Sequence, residues 1–322
     1  MQKYLGAIDN QTPTQKLKNY KFEEVCTSPA PVVWMEKAQP QWKTLTVRNQ
    51  DGSGTCVTQT YATEMSMAFY LKYGVWVDFS AAFPYQARGN TSISGCNSTD
   101  VYDIFPKIGN VFEHFMPSQN MDDTGVMAVK KESYFDDLAK IWKPSRIELP
   151  KDFETVASTI QATGKGVMIW VKFHPEEWTA TPTIGSKPTT SGHSITVIDY
   201  FLVGGKKYLL ILDSWGKNFA YQGYRLISEE YFAQRCFLAS YLMTFQVQDN
   251  NTTVRPTFKN TVHSAKECLK WEGLFPANVP SNDVSDSIFR ACVKKFQIRF
   301  NITPTLGNFG PITKAKLTAI YP

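Results

Sequence analysis

The sequence predicts an α+β protein, helix-rich first and strand-rich second, with a small helical unit at the end. Three observations carry this. Apolar residues after Cys56 (Val57, Tyr61, Met65, Ala68, Phe69) fall near three- and four-residue spacing. Short apolar runs bounded by Gly or Asp turns fill residues 167–227. Residues 249–260 (DNNTTVRPTFKN) are polar and structure-poor, and amphipathic spacing resumes beyond them. Helices and strands are segregated along the chain, which argues against an alternating parallel sheet.

In chain order, residues 1–48 read as an irregular, proline-containing lead-in (Pro13, Pro29, Pro31, Pro40). A helix opens at Cys56 and runs to about Tyr73, where Gly74 stops it. Residues 99–110 repeat helical spacing, weakened by Pro106. Another helix is expected from Asp152 to Thr163, stopped by Gly164 and Gly166. Residues 167–173 (VMIWVKF), Ser194–Leu202, Tyr208–Asp213 and Gly223–Ile227 are expected strands. Beyond the linker, Val262, Ala265, Cys268 and Leu269 mark one helix, and Ile288, Cys292, Val293 and Phe296 a second. Lys314–Ile320 forms a short third. The expected organisation is therefore a domain over 1–248, a linker over 249–260 and a helical domain over 261–322.

The chain has 322 residues, 43% hydrophobic, 14% aromatic and 20% charged. Such a composition buries enough apolar area to offset the ordering entropy, which excludes a disordered chain. The net charge of +5 is a weak field on this length and makes no case for nucleic acid. Apolar runs such as Tyr208–Leu212 fall far short of the roughly 18 residues of a spanning helix, so no membrane span is expected. The start, MQKYLGAIDNQTPTQ, has no apolar h-region, so no classical signal peptide is expected. Cytoplasmic synthesis with reduced thiols follows as the expectation. The six cysteines show no CxxC pair and no histidine at zinc-ligand spacing, so no metal is expected.

Cys56 has the most reactive context among these thiols. It follows the turn Asp51-Gly52-Ser53-Gly54-Thr55 and opens a helix, where unpaired N–H groups and the dipole favour negative charge on sulfur. Gln50, just upstream, can fold back and hold a developing oxyanion together with the Cys56 N–H. The alternative is a buried, inert cysteine. His193, in a Gly192-His193-Ser194 turn before an apolar strand, is the candidate base; the alternative is a loop histidine. His114, His174 and His263 lack comparable partners and read as structural or surface residues. Asp213 ends an apolar strand and is suited to accept Nδ1–H of His193, with Trp215 covering that bond. The alternative is a turn-capping Asp beside a core Trp.

These ordered segments resemble the papain family of cysteine peptidases. Val47-Arg48-Asn49-Gln50 with Asp51 to Cys56 is similar to that family's oxyanion-glutamine and nucleophile segment. Gly192-His193-Ser194 is similar to its histidine segment. Asp213-Ser214-Trp215-Gly216, followed by Gly223-Tyr224-Arg225-Leu226-Ile227, is similar to its Asn-Ser-Trp-Gly segment and following strand. Phe79-Ser80 and Gly95-Cys96-Asn97 resemble its left-hand domain. The resemblance covers about residues 30–248. It implies a two-lobed fold, helical lobe plus β-rich lobe, and a thiol hydrolase working through an acyl-thioester with no metal or cofactor.

The chain departs from that pattern in places. Asp213 stands for the usual Asn, which changes the charge balance of the Cys–His pair. Val57 replaces an aromatic. Ser53 stands where a disulfide cysteine is usual, leaving Cys96 without its expected partner. Asn97, Ser98 and Thr99 line the segment that binds substrate in the family, but Ser98 and Thr99 replace two glycines and are expected to narrow the cleft. The lead-in is shorter than the inhibitory propeptide of many relatives.

At the other end, Val293-Lys294-Lys295-Phe296-Gln297 with Gly307-Asn308-Phe309-Gly310-Pro311-Ile312-Thr313 resembles the small three-helix peptidoglycan-binding domain. The two resemblances imply a cysteine endopeptidase that acts on protein or peptide and is targeted to the bacterial cell wall. A phage-encoded lysin or virion-packaged protease fits, with release to the wall. The competing expectation is a catalytically inert papain-fold scaffold, for example a virion component.

Overall fold

The computed structural model describes residues 6–11, 20–21, 31–36, 45–189, 191–246, 256–272, 274–275 and 281–322. Cys26 and most of the expected linker lie outside these. The chain divides into two compact units, Met1–Ala68 with Asp78–Gln246, and Phe69–Val77 with Val247–Pro322.

The first unit joins a helical layer to a seven-stranded sheet. Helix α1 (Cys56–Tyr73) starts after a turn in which Asp51 and Gly52 take positive φ (44° and 81°). Short helices α2 (Ala82–Gln86), α3 (Phe105–Ile108), α4 (Asp123–Ala128) and α5 (Phe135–Ala139) follow. The expected 99–110 helix is a π-helical turn, Asp100–Ile104, that runs into α3 with Pro106 in its first turn, where proline is tolerated. Helix α6 (Phe153–Thr163) is capped by Asp152, which accepts from Thr155 N, and ends at left-handed Gly164; α7 (Glu229–Arg235) is capped by Ser228.

Strand order in the sheet is β2 (Tyr20–Lys21), β4 (Lys143–Leu149), β9 (Cys236–Gln246), β5 (Val167–Phe173), β6 (Ser191–Val203), β7 (Lys206–Leu212), β8 (Tyr224–Ser228). All neighbours are antiparallel except β2–β4. A separate parallel pair joins β1 (Ala7–Ile8) to β3 (Cys96–Asn97). The lead-in, expected to be irregular, thus supplies two short strands.

Central strand β5 explains its unbroken apolar run, because both of its faces are covered. Val167, Ile169, Val171 and Phe173 enter the main core with Phe153, Val156, Ile160, Val197 and Ile211. On the other face, Met168 N donates to Glu64 of α1 (3.0 Å), and Glu64 pairs with Arg146 of β4 in full burial. Arg146 also donates to Ser240 of β9 (2.7 Å). A Cβ on Gly166 would fall 2.7 Å from Met67 Sδ, so glycine there lets α1 sit close to the sheet.

In the second unit, helices α8 (Val262–Trp271), α9 (Ser287–Arg299) and α10 (Pro311–Ile320) enclose Leu269, Phe289, Cys292, Phe296 and Leu317. Thr261 and Ser264 form a capping box for α8, Asp286 caps α9, and Pro311 opens α10. Gln297 is buried. It donates to Thr313 Oγ1 (2.8 Å) and Asn308 O (3.0 Å) and accepts from Gly307 N (2.8 Å), so it fixes the turn that precedes α10.

Candidate active site

Backbone pairing brings the separated segments together. Gln50 N donates to Ser214 O (2.8 Å), Gly216 N donates to Arg48 O (2.9 Å), and Asn49 bridges Trp215. The segment before Cys56 is therefore stitched to the segment after Asp213. Cys56 sits at the start of α1 and is fully buried.

His193 was expected in a turn. It lies inside β6 instead, paired with Val171, because the strand begins at Ser191. Asp213 follows β7 directly and its N–H donates to Gly223 O (2.9 Å). His193 and Asp213 meet at 2.8 Å, but through Nε2 and Oδ1. This corrects the expected Nδ1 contact: the ring tip, not its backbone-proximal edge, reaches the neighbouring strand. Because the carboxylate is an acceptor, Nε2 carries the donated proton. Nδ1 is buried without a hydrogen-bond partner among the described residues, and the Cys56 thiol acts on the same ring.

The electrostatics follow from this geometry. Burial lowers the basicity of His193, but the Asp213 charge and hydrogen bond, with Cys56 adding to them, outweigh burial and raise it to about 9. Burial would raise Asp213, yet His193 and Arg225 bring it down to about 2. Asp213 accepts four hydrogen bonds. Oδ1 takes His193 and Ser214 N (2.8 Å); Oδ2 takes Trp178 Nε1 (3.0 Å) and Arg225 Nε (2.7 Å).

Sequence alone assigns no role to Trp178 or Arg225. Trp178 stands edge-on to His193 with centroids 5.6 Å apart, and Trp215 packs at 5.4 Å. Both rings cover the His–Asp contact, where Trp215 alone was expected. An Arg at alternate spacing after a Gly-Tyr strand start was visible in the sequence, but only the β7–β8 register (Ile211 beside Arg225) shows where it points.

Gln50 is buried beside the thiol segment. Its Nε2 donates to Ser53 O (2.6 Å) and its Oε1 accepts from Ser214 Oγ (2.6 Å). An amide has two N–H bonds, so one remains for an oxyanion. Ser53, in the expected cysteine's place, donates to Gln50 O (2.6 Å), and Cys96 is a free, buried thiol.

Gly6 of the segment Gly6–Gln11 lies against the sulfur. A Cβ on Gly6 would fall 2.3 Å from Cys56 Sγ and 2.9 Å from Gly54 O. Cys96 N donates to Gly6 O (2.7 Å), and a Cβ on Gly192 would fall 2.3 Å from Ala7 O. Ser98 Oγ accepts from Asn10 N (2.9 Å) and Gln11 N (3.1 Å), and donates to Asp9 Oδ1 (2.7 Å). Thr99 N donates to Asn10 Oδ1 (3.1 Å), while Asn97 caps the next turn through Asp100. Ser98 and Thr99, expected to narrow the cleft toward substrate, therefore grip the chain's own lead-in. A groove of about 550 Å³ opens beside this segment, lined by Ile8, Ile93, Lys172, Gly192 and Phe237 among others.

The remaining histidines sit apart: His114 and His263 are exposed, and His174 is half-buried. Burial pushes the Cys96 thiol well up, and the Cys236 and Cys292 thiols up to about 12. No helix among the described residues is long and apolar enough to cross a membrane.

Comparison with known proteins agrees with this architecture. The description "Papain family cysteine protease" matches residues 30–245. The fold is similar to xylellain, a cysteine protease from Xylella fastidiosa, at 16% identity and TM-score 0.62, covering 76% of this chain and 97% of that one. It is also similar to procathepsin B S9 from Trypanosoma congolense (12% identity, TM-score 0.54, 75% and 87% covered). A third similarity is to digestive procathepsin L 3 of Tenebrio molitor larval midgut (15%, 0.51, 66% and 75%). With its two-layer fold and a match over most of its length, the chain belongs to the papain family of cysteine proteases.

Proposed function

We propose that this protease cleaves peptide bonds with Cys56 as nucleophile, His193 as base, Asp213 as the orienting acid and Gln50 in the oxyanion hole. The observation that carries the reading is the His193 ring, held at Nε2 by Asp213 so that Nδ1 is left for the thiol. In the thiolate–imidazolium pair the thiol proton already rests on Nδ1, and Sγ attacks the carbonyl carbon. The tetrahedral intermediate collapses, the leaving amine takes that proton, and an acyl-thioester remains. Water then adds to the thioester, gives a proton to Nδ1, and the thiol is regenerated with release of the acid. The second N–H of Gln50 and the Cys56 N–H stabilise both oxyanions. Trp178 and Trp215 keep water from the His–Asp bond.

The substrate is protein or peptide, and the second unit directs the enzyme to the bacterial cell wall. Support for targeting is the three-helix packing around Gln297 and a shallow surface there bearing exposed Leu306 and Ile312 beside polar Asn308. A phage lysin or virion-borne enzyme fits that pairing. The test is incubation with purified sacculi and with a denatured protein library. Bonds cut by the wild type and spared by Cys56→Ala establish the activity, and sedimentation of Cys56→Ala with sacculi establishes targeting. Equal products from both proteins overturn the nucleophile. The competing reading, an inert scaffold, draws on the covered sulfur, and unselective alkylation of all thiols would favour it.

A further inference from the structure

We infer that Arg225 is a positioning residue that neutralises Asp213, which lets an acid stand where the papain family usually has an amide. The inference rests on the proposed roles of Cys56, His193 and Asp213. Arg225 projects from β8 and is 3% exposed. Its Nε donates to Asp213 Oδ2 at 2.7 Å, on the carboxylate oxygen that His193 does not use. Its Nη1 donates to Trp178 O (3.1 Å) and Thr179 O (2.6 Å). The guanidinium lies 5.0 Å from the Trp178 ring and 5.2 Å from the Trp215 ring, the two side chains that also flank His193. One side chain thus balances the acid and fixes the aromatic walls around it.

Charge counting shows what this does. With an amide at position 213, a thiolate–imidazolium pair is neutral. With a carboxylate it carries one net negative charge, which holds protons on both partners and moves ionisation of the pair to higher pH. Adding the Arg225 cation restores neutrality. The other ionisable groups around the constellation do not do so. Tyr231 is buried with its phenol raised by desolvation, and Glu177 is paired with Arg235. Lysine in place of Arg225 keeps the charge but not the planar fork that also serves two carbonyls.

The experiment uses the full chain and the pH dependence of iodoacetamide alkylation at Cys56, read by peptide mapping, beside hydrolysis of an unfolded protein. None of the variants touches Gly6–Gln11, so the pH of half-maximal rate reports the charge balance and not access. Arg225→Met is expected to move that midpoint up by about one pH unit. Asp213→Asn is expected to move it down. The double variant Arg225→Met/Asp213→Asn is expected to return it to the wild-type position and to recover hydrolysis lost in Arg225→Met. Arg225→Lys is expected to keep the wild-type midpoint with a lower plateau. If Arg225→Met does not fold, the Asp213→Asn shift and the folded double variant still decide. An unchanged midpoint in Asp213→Asn together with no rescue in the double variant would overturn the inference, leaving Arg225 a structural residue. Failure of the nucleophile reading looks different: hydrolysis would survive in Cys56→Ala whatever occupies 213 and 225.

Discussion

The two halves of the site are built in different ways. The sulfur half is backbone: a turn with two positive-φ residues, a helix start, and Gly6, just before β1, set against Sγ. The imidazole half is side chains: an acid with four donors, a buried cation and two indoles. Backbone cover held by a two-residue strand can lift locally at small cost. A buried charge network cannot, because each lost partner leaves an unpaired polar group. The contrast implies that access to the site is set on the cysteine side and proton placement on the histidine side.

Breaking each half outright gives the largest effects. Cys56→Ala and His193→Ala are each expected to lower hydrolysis of an unfolded protein by about three orders of magnitude or more while leaving the fold intact by circular dichroism. Next comes the pH dependence of stability, to which the imidazole half contributes at both ends. His193 is raised in the folded state, so its contribution is complete below about 6.5 and is lost as pH rises through about 9. Asp213 is lowered, so its contribution is complete above about 3.8 and is lost as pH falls through about 2. Urea unfolding across pH should show both slopes in the wild type and flatter ones in Asp213→Asn. Trp178→Phe keeps the ring but removes a donor from Asp213, and should cost about 1–3 kcal/mol in the same assay.

Smaller effects sharpen the sulfur half. Gly6→Val places atoms where Sγ already is, so the lead-in must lift and Cys56 should alkylate several-fold faster. Ser98→Ala removes the hydroxyl that accepts from Asn10 and Gln11, and should act in the same direction but less, each lost bond being worth about 1 kcal/mol. Slower alkylation in Gly6→Val would mean that the segment does not govern access.

Much of this was legible in the sequence. The α1 boundaries, the Asp152 cap with its Gly164 stop and the β5 run follow from local chemistry, and the structure has them where local chemistry puts them. His193 and Asp213 meet at hydrogen-bond distance, and the segment before Cys56 pairs with the one after Asp213. What sequence could not give were facts of register and orientation. The ring nitrogen that meets Asp213 depends on where β6 begins, and Arg225 finds Asp213 only through β7–β8 pairing. Strand β4 carries an interrupted apolar pattern (Arg146 and Glu148), and the buried charge of Arg146 is explained only by Glu64 of α1, which packs on that face of the sheet. The lead-in reads as irregular in sequence because a two-residue strand leaves no periodic signal.

The most direct test maps alkylation of the wild type and of His193→Ala by iodoacetamide at pH 6, site by site. Cys56 is expected to react well ahead of Cys96, Cys236, Cys268 and Cys292 in the wild type and to lose that lead in His193→Ala. Equal reaction at all five thiols, or a Cys56 lead that survives without the imidazole, would contradict a sulfur activated by His193.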